Sequence, residues 1–207
     1  MKAPLLLSFF SLLVFQSQIV KAQIEKLYYE DRTIRAEGEI KKGEKFGEWK
    51  FYYPSGVIQA IEHYENDKLH GVAMSYNFDG NIQSKENWVN GSLEDSAFYY
   101  HPNKILKRTG VYLNSQYEGI WINYYSSGVL KRTLEYKNGL PNGIWLYYSE
   151  KGTLLQKGFY KNGKESGLWE FFSKKGKLTY KGTYENGVKT GNWVEIKNGK
   201  EKPFNYN

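Results

Sequence analysis

The chain has 207 residues, a formal net charge of +7, and 40% hydrophobic, 17% aromatic and 25% charged positions. That is apolar enough for one globular domain or one extended repeat array, and too apolar for a disordered chain. No cysteine occurs, which excludes disulfides, thiolate metal sites and a cysteine nucleophile. Nineteen Tyr, 11 Phe, 6 Trp and 21 Gly against 5 Pro favour strands and tight turns over a helical bundle.

The chain opens with Lys2, an apolar run from Ala3 to Phe15, and a more polar stretch ending Val20-Lys21-Ala22. This is the pattern of a secretory signal peptide with cleavage after Ala22, and the run is shorter than the ~20 residues that a membrane-spanning helix needs. Residues 1–22 hold Lys2, Lys21 and no acid, so removing them leaves 27 basic against 22 acidic residues, a net charge of +5. Export places the mature chain, 23–207, in the periplasm, at the outer membrane or outside the cell. It also argues against a nucleic acid partner.

From residue 47 onward the chain repeats every 24 residues. One column reads Gly47, Gly71, Asp95, Gly119, Gly143, Gly167 and Gly191, and two positions later stand Trp49, Ala73, Ala97, Trp121, Trp145, Trp169 and Trp193. A third column is Tyr52, Tyr76, Tyr100, Tyr124, Tyr148, Phe172 and Ile196, and a fourth is Tyr64, Trp88, Tyr112, Tyr136, Tyr160 and Tyr184. Self-similarity of this period defines a repeat architecture. A degenerate first unit, 23–46, precedes units starting at 47, 71, 95, 119, 143 and 167, and a partial unit fills 191–207.

Each unit holds two extended runs separated by turn chemistry, first Pro-Ser-Gly56 or Ser-Ser-Gly128, then Asn90-Gly91, Asn138-Gly139, Asn162-Gly163 or Asn186-Gly187. Asn-Gly between apolar runs signals a hairpin. Leu130, Leu134 and Tyr136 alternate with Lys131, Thr133 and Glu135, the period of a strand with one buried face. Trp145 and Tyr148 are three apart and cannot share a face of a regular strand, which predicts a bulge or bend between them. Single hairpins of this length are unstable, so about seven must stack into a rod of about 14 strands, each sharing an aromatic seam with its neighbours. The expected fold is all-β. Lys197, Lys200, Glu201, Lys202 and Pro203, placed after the last strand, are suited to blocking its edge.

The pattern Gly-x-Trp-x-x-Tyr-Tyr-x-x-Gly-x-Leu followed by Gly-x-Tyr-x-Asn-Gly resembles the variant form of the membrane occupation and recognition nexus (MORN) repeat, including YwqK-type antitoxins of toxin–antitoxin systems. The resemblance covers residues 25 to 200. It implies an elongated, twisted, single-layer antiparallel sheet of tandem hairpins that associates with protein partners and, in some members, with anionic lipid. An export segment fits an envelope or secreted protein better than a cytoplasmic antitoxin.

Departures from the repeat are concentrated in two units. Ala73 and Ala97 replace Trp, and Trp88, standing in a column of tyrosines, is expected to fill the vacated volume. Asp95, Lys104 and Ser115 replace turn glycines, and His101-Pro102-Asn103 alters a loop. Lys107-Arg108 and Lys131-Arg132 lie one period apart, about 9 to 10 Å across the sheet. With Lys104 they form a basic patch suited to lipid phosphates, an anionic glycan or an acidic protein segment, or a solvated charged face. His63, His70 and His101 occupy different repeat positions without metal-ligand spacing, and no nucleophile elbow or phosphate loop is present. The sequence therefore predicts a noncatalytic exported binding or scaffold protein without metal or cofactor. Its expected partner is an envelope or secreted protein, with anionic lipid or glycan as the alternative.

Overall fold

The computed structural model describes residues 23–204. The expected export segment lies outside them. The described chain consists of eighteen strands and no helix: β1 (Gln23–Tyr28), β2 (Ile34–Lys41), β3 (Glu44–Tyr52), β4 (Ile58–Glu65), β5 (Lys68–Leu69), β6 (Gly71–Tyr76), β7 (Ile82–Val89), β8 (Ser92–Leu93), β9 (Asp95–Tyr100), β10 (Leu106–Leu113), β11 (Gln116–Tyr124), β12 (Leu130–Lys137), β13 (Leu140–Tyr148), β14 (Leu154–Lys161), β15 (Lys164–Phe172), β16 (Leu178–Glu185), β17 (Val188–Lys197) and β18 (Lys200–Pro203). Every strand pairs antiparallel with its neighbours in sequence, so the sheet is one open meander. The short β5 and β8 are the leading ends of β6 and β9, cut off at His70 and Glu94. That leaves sixteen strand positions, about 70 Å of sheet at ~4.8 Å per strand.

The count exceeds the expected 14 because the C-terminal partial unit adds two strands, β17 and the charged segment β18. Lys200 to Pro203 were expected to follow the last strand; instead they form β18, paired from Lys197↔Lys200 to Val194↔Pro203. Its residues are all exposed, so the charges lie on the edge strand.

Turns fix the register at both ends of each hairpin. Asn138-Gly139 has φ of 51° and 77°, the pair of positive values a type I′ turn requires. Asn66-Asp67 and Asn114-Ser115 adopt the same geometry without glycine. There the Asp67 carboxylate and Ser115 hydroxyl accept the backbone N–H of Lys45 and Leu93, 22 residues earlier, at 2.7 and 2.9 Å. At the opposite ends, the hydroxyls of Tyr29, Tyr53 and Tyr125 donate to the carbonyls of Tyr52, Tyr76 and Tyr148 at 2.6 to 2.9 Å. His101 occupies the same column and its Nε2 bonds the Tyr124 carbonyl at 3.1 Å, so this histidine has taken over a structural tyrosine's role.

Burial follows from a cross-strand pairing of indole with bare backbone. Trp49, Trp121, Trp169 and Trp193 are buried. A Cβ added at Gly38, Gly110, Gly158 or Gly182, on the preceding strand, would collide with the corresponding indole ring. Trp49, Trp121 and Trp193 also donate Nε1–H to the carbonyls of Glu39, Val111 and Thr183 at 3.0 to 3.1 Å. Each such ring removes roughly 150–250 Å² from water, an upper bound of about 4–6 kcal/mol per indole. Edge-on tyrosines from the preceding strand complete the packing, as in Tyr112 against Trp121 at 5.0 Å and Tyr184 against Trp193 at 5.1 Å.

Where the glycine changes, so does the tryptophan. Leu134 stands opposite Trp145 and is itself buried. Trp145 is displaced to a half-buried pose parallel to Tyr147, with Nε1 donating to the Gln156 side chain at 3.2 Å. Continuing the registers Ile61↔Met74 and Lys85↔Phe98 by one pair sets Glu62 beside Ala73 and Glu86 beside Ala97. The missing indoles are thus matched one strand back, by glutamates where the other units have glycine. Trp88 stands in the tyrosine column, its backbone paired with Gly71 and Leu93 and its indole nitrogen buried. The aromatic seam is consequently not continuous: its ring contacts run from Trp49 to Tyr64 and resume at Tyr99.

Two bulges recur in each unit. One sits at the column-one glycine, where β15 carries extra residues between Ser166 and Glu170 against β14. The other lies between Tyr147 and Tyr148, within the interval predicted, and its extra residue, Leu155, belongs to the facing strand.

Replacing Gly158 by Ala is expected to cost about 2 kcal/mol in urea unfolding and to red-shift tryptophan emission as Trp169 leaves the sheet; an unchanged midpoint contradicts the indole–glycine pairing. The Tyr52 hydroxyl donates to Glu37 and the Tyr160 hydroxyl to Glu165, and burial reinforced by these carboxylates pushes both phenols up to about 12. A raised value means that folding favours the neutral phenol. The stabilisation is therefore complete below the ordinary tyrosine value of 10 and is lost as pH rises through 12. Melting temperature is expected to hold to about pH 10 and then fall. Tyr52→Phe with Tyr160→Phe should shallow that fall, and an identical profile in the double variant contradicts the assignment.

Candidate functional site

The five basic residues singled out from sequence are separated by the second bulge. Lys107 and Lys131 are the extra residues where Leu106↔Tyr100 passes to Arg108↔Tyr99, and where Leu130↔Tyr124 passes to Arg132↔Asn123. Arg108 and Arg132 follow on the face that carries the tryptophans. The Arg108 guanidinium lies 4.0 Å from the Tyr99 ring centre and 5.8 Å from that of Trp121, and donates to the Tyr117 hydroxyl at 3.2 Å. Arg132 lies 5.7 Å from the Trp145 ring, and Lys131 Nζ 5.2 Å from that of Tyr125.

Lys107, Arg108 and Arg132 share a cleft of about 480 Å³ with Asn77, Gln83 and Asn123, beside Tyr99 and Tyr100. Lys131 does not line it. Lys104 is exposed on the adjacent turn, holding φ of 69° where Gly56, Gly80, Gly128, Gly152 and Gly176 stand in other units and Arg32, at 68°, in the first, a conformation that costs a non-glycine residue about 1 kcal/mol or more. Among the described residues no carboxylate lies within ion-pair distance of Arg108 or Arg132. Burial and the hydroxyl of Tyr112 hold the Tyr99 phenol far above its ordinary value, so it stays neutral beside Arg108. Sequence reasoning missed the three amides. They come from two units and three unrelated columns, and only strand register brings them together.

The opposite face carries a second feature that the columns did not reveal. Residues preceding the column-two tryptophans point away from them, and in three successive units these are Ile120, Ile144 and Leu168, exposed by 61%, 56% and 55%. Ile144 pairs directly with Phe159, which is also exposed, and Val111 precedes the row on β10. Glu135, opposite Ile120, is the one charge within it. In the other units the same column holds the polar Glu48, Ser96 and Asn192 and the half-buried Val72, so the exposed apolar row runs over β10–β15.

No cluster of three His, Asp or Glu side chains capable of holding a metal occurs among the described residues. His63 bonds the Val72 carbonyl at 2.8 Å and His70 faces Glu65 at 3.6 Å.

Comparison with known proteins gives a family and little else. No curated protein matches the chain. Among solved structures, the TcdB2–TccC3 complex is 13% identical over 83% of this chain, which spans only 13% of that one, with a TM-score of 0.19. A porin-like protein from Bacteroides uniformis is 10% identical over 89% of this chain and 94% of its own, with a TM-score of 0.21. Likenesses at these scores carry no argument. The family described as MORN repeat variant matches residues 47–66, 69–90, 117–138, 141–162 and 165–186, and the stretch it passes over contains Asp95, Lys104 and Ser115. Five matches over more than half of the chain, each on hairpins of the same register, make this protein a member of the MORN repeat variant family.

Proposed function

We propose that this chain is an exported, noncatalytic scaffold that binds another protein at the cell envelope. MORN repeat arrays serve as binding or scaffold modules, and the finer reading rests on the apolar stripe across β10–β15. A soluble single-layer sheet has no structural use for Ile120, Ile144 and Leu168 on its outer face, and contiguous exposed apolar residues mark protein contacts. The flanking units show that the repeat tolerates polar residues in the same column, so the fold does not demand the stripe. Export is supported by the pattern of residues 1–22, and an extracytoplasmic partner follows from it.

Each of the three side chains, already partly covered, would contribute about 1 to 1.5 kcal/mol when a partner removes it from water. Replacing all three by Ser is therefore expected to weaken the complex ~100-fold or more. The purified chain, cross-linked in an extract of the producing cell's envelope, should retain one protein equally at low and high salt, because apolar contacts are not screened. The triple variant, checked by circular dichroism and urea midpoint, should lose it. Retention by a folded triple variant contradicts the proposal. N-terminal sequencing of protein recovered from cells should begin at Gln23; an intact Met1 contradicts export.

A further inference from the structure

We infer that the cleft on the tryptophan face binds an acidic sugar, a pyranose carrying a carboxylate beside its hydroxyls. This rests on the chain being a binding module, but on the face opposite the apolar stripe, so the two sites stand or fall separately. The inference starts from two guanidiniums that have no ion-pair partner among the described residues. Arg108 is held in place by Tyr99 on one side and the Tyr117 hydroxyl on the other, which leaves most of its donors unspent. A planar fork immobilised in this way matches a carboxylate bidentately, and little rotamer entropy remains to be lost on binding.

Charge alone does not describe the cleft. Asn77 uses its carbonyl oxygen to accept from Asp79 and Asn81, which leaves its NH₂ available, and Gln83 and Asn123 bond no other described side chain or backbone group. Amides that both donate and accept suit hydroxyl groups, which do the same. Tyr99 and Tyr100 add flat rings against which the C–H face of a sugar can lie.

An acidic peptide fits less well. The strands around the cleft are interior to the sheet and already paired on both sides, so no edge is offered to a peptide backbone. The cleft's volume of about 480 Å³ is in the range of small-ligand sites rather than of an extended segment. Arg108 and Arg132 sit two strand positions apart, about 9 to 10 Å, with Asn123 on the strand between them, so one ring can meet both guanidiniums and the amide. A lipid surface would meet a broad basic rim with apolar residues to insert, whereas here the charges are recessed among amides and phenols.

The test is titration of the full chain with galacturonate, glucuronate and mannuronate trisaccharides, followed by calorimetry and by the fluorescence of Trp121 and Trp145, the rings beneath the two guanidiniums. Comparison probes are a neutral galactose trisaccharide, polyglutamate, inorganic phosphate and phosphatidylglycerol vesicles. At least one uronate is expected to bind, about tenfold or more tighter than the neutral sugar. Arg108→Gln, Arg132→Gln and Asn123→Ala should each weaken it about tenfold. Arg108→Lys keeps the charge and tests the fork, and it should weaken binding nearly as much as Arg108→Gln. The Ile120, Ile144 and Leu168 triple variant should bind the sugar normally. The inference is overturned if no uronate binds, if polyglutamate, phosphate or vesicles bind as tightly, or if a folded Asn123→Ala chain binds uronate unchanged.

Discussion

An indole needs a flat partner, and in a single-layer sheet with no second layer above it, the flattest surface within reach is a neighbouring strand's backbone where no Cβ intervenes. Gly38, Gly110, Gly158 and Gly182 supply that surface to Trp49, Trp121, Trp169 and Trp193. The contact joins the second strand of one unit to the first strand of the next, so it acts between repeats rather than within them. Stability built this way is a nearest-neighbour property, and each hairpin is ordered by the one before it. Tyrosine hydroxyls on the carbonyls of the following unit, and turn side chains on the N–H groups of the preceding one, add polar ties in the same direction.

Units that abandon the pairing are also the units with unusual surfaces. Glu62 with Ala73 and Glu86 with Ala97 leave this stretch without the column-two indoles, and next to it the cleft of Arg108, Arg132 and Asn123 opens. Lys104 and Asp95 hold positive φ there without glycine's freedom. Arg32, Lys42 and Asp67 do the same nearer the N-terminus. On the reverse face, the apolar stripe lies under β10–β15, where Trp121 and Trp169 are buried and Trp145 is half-buried.

Much of the architecture was legible because it is periodic. The glycine, tryptophan and tyrosine columns and the Asn-Gly turns gave the hairpins, their number within one or two, and the family. Reading down columns, however, hid what lies across them. Gly158 and Gly182 open the repeat pattern Gly-x-Tyr-x-Asn-Gly, but only register sets them, with Gly110, beneath indoles, and the Leu134–Trp145 exception could not be seen without it. The cleft was half legible: Arg108 and Arg132 share a column, whereas Asn77, Gln83 and Asn123 share none. The stripe joins two columns, that of Ile120, Ile144 and Leu168 with that of Val111 and Phe159, and becomes a stripe only when adjacent strands are placed side by side.

The most direct measurement is a double-mutant cycle at the site where the pairing is absent. Ala73→Trp, Glu62→Gly and the two together would be compared with the parent chain by urea unfolding. If bare backbone is what an indole requires, Ala73→Trp alone is destabilising because Glu62 occupies its place. Joined to Glu62→Gly it becomes neutral or stabilising, with a favourable coupling of about 1 to 3 kcal/mol. Effects that simply add, within about 0.5 kcal/mol, would show that tryptophan and glycine do not recognise each other across these strands.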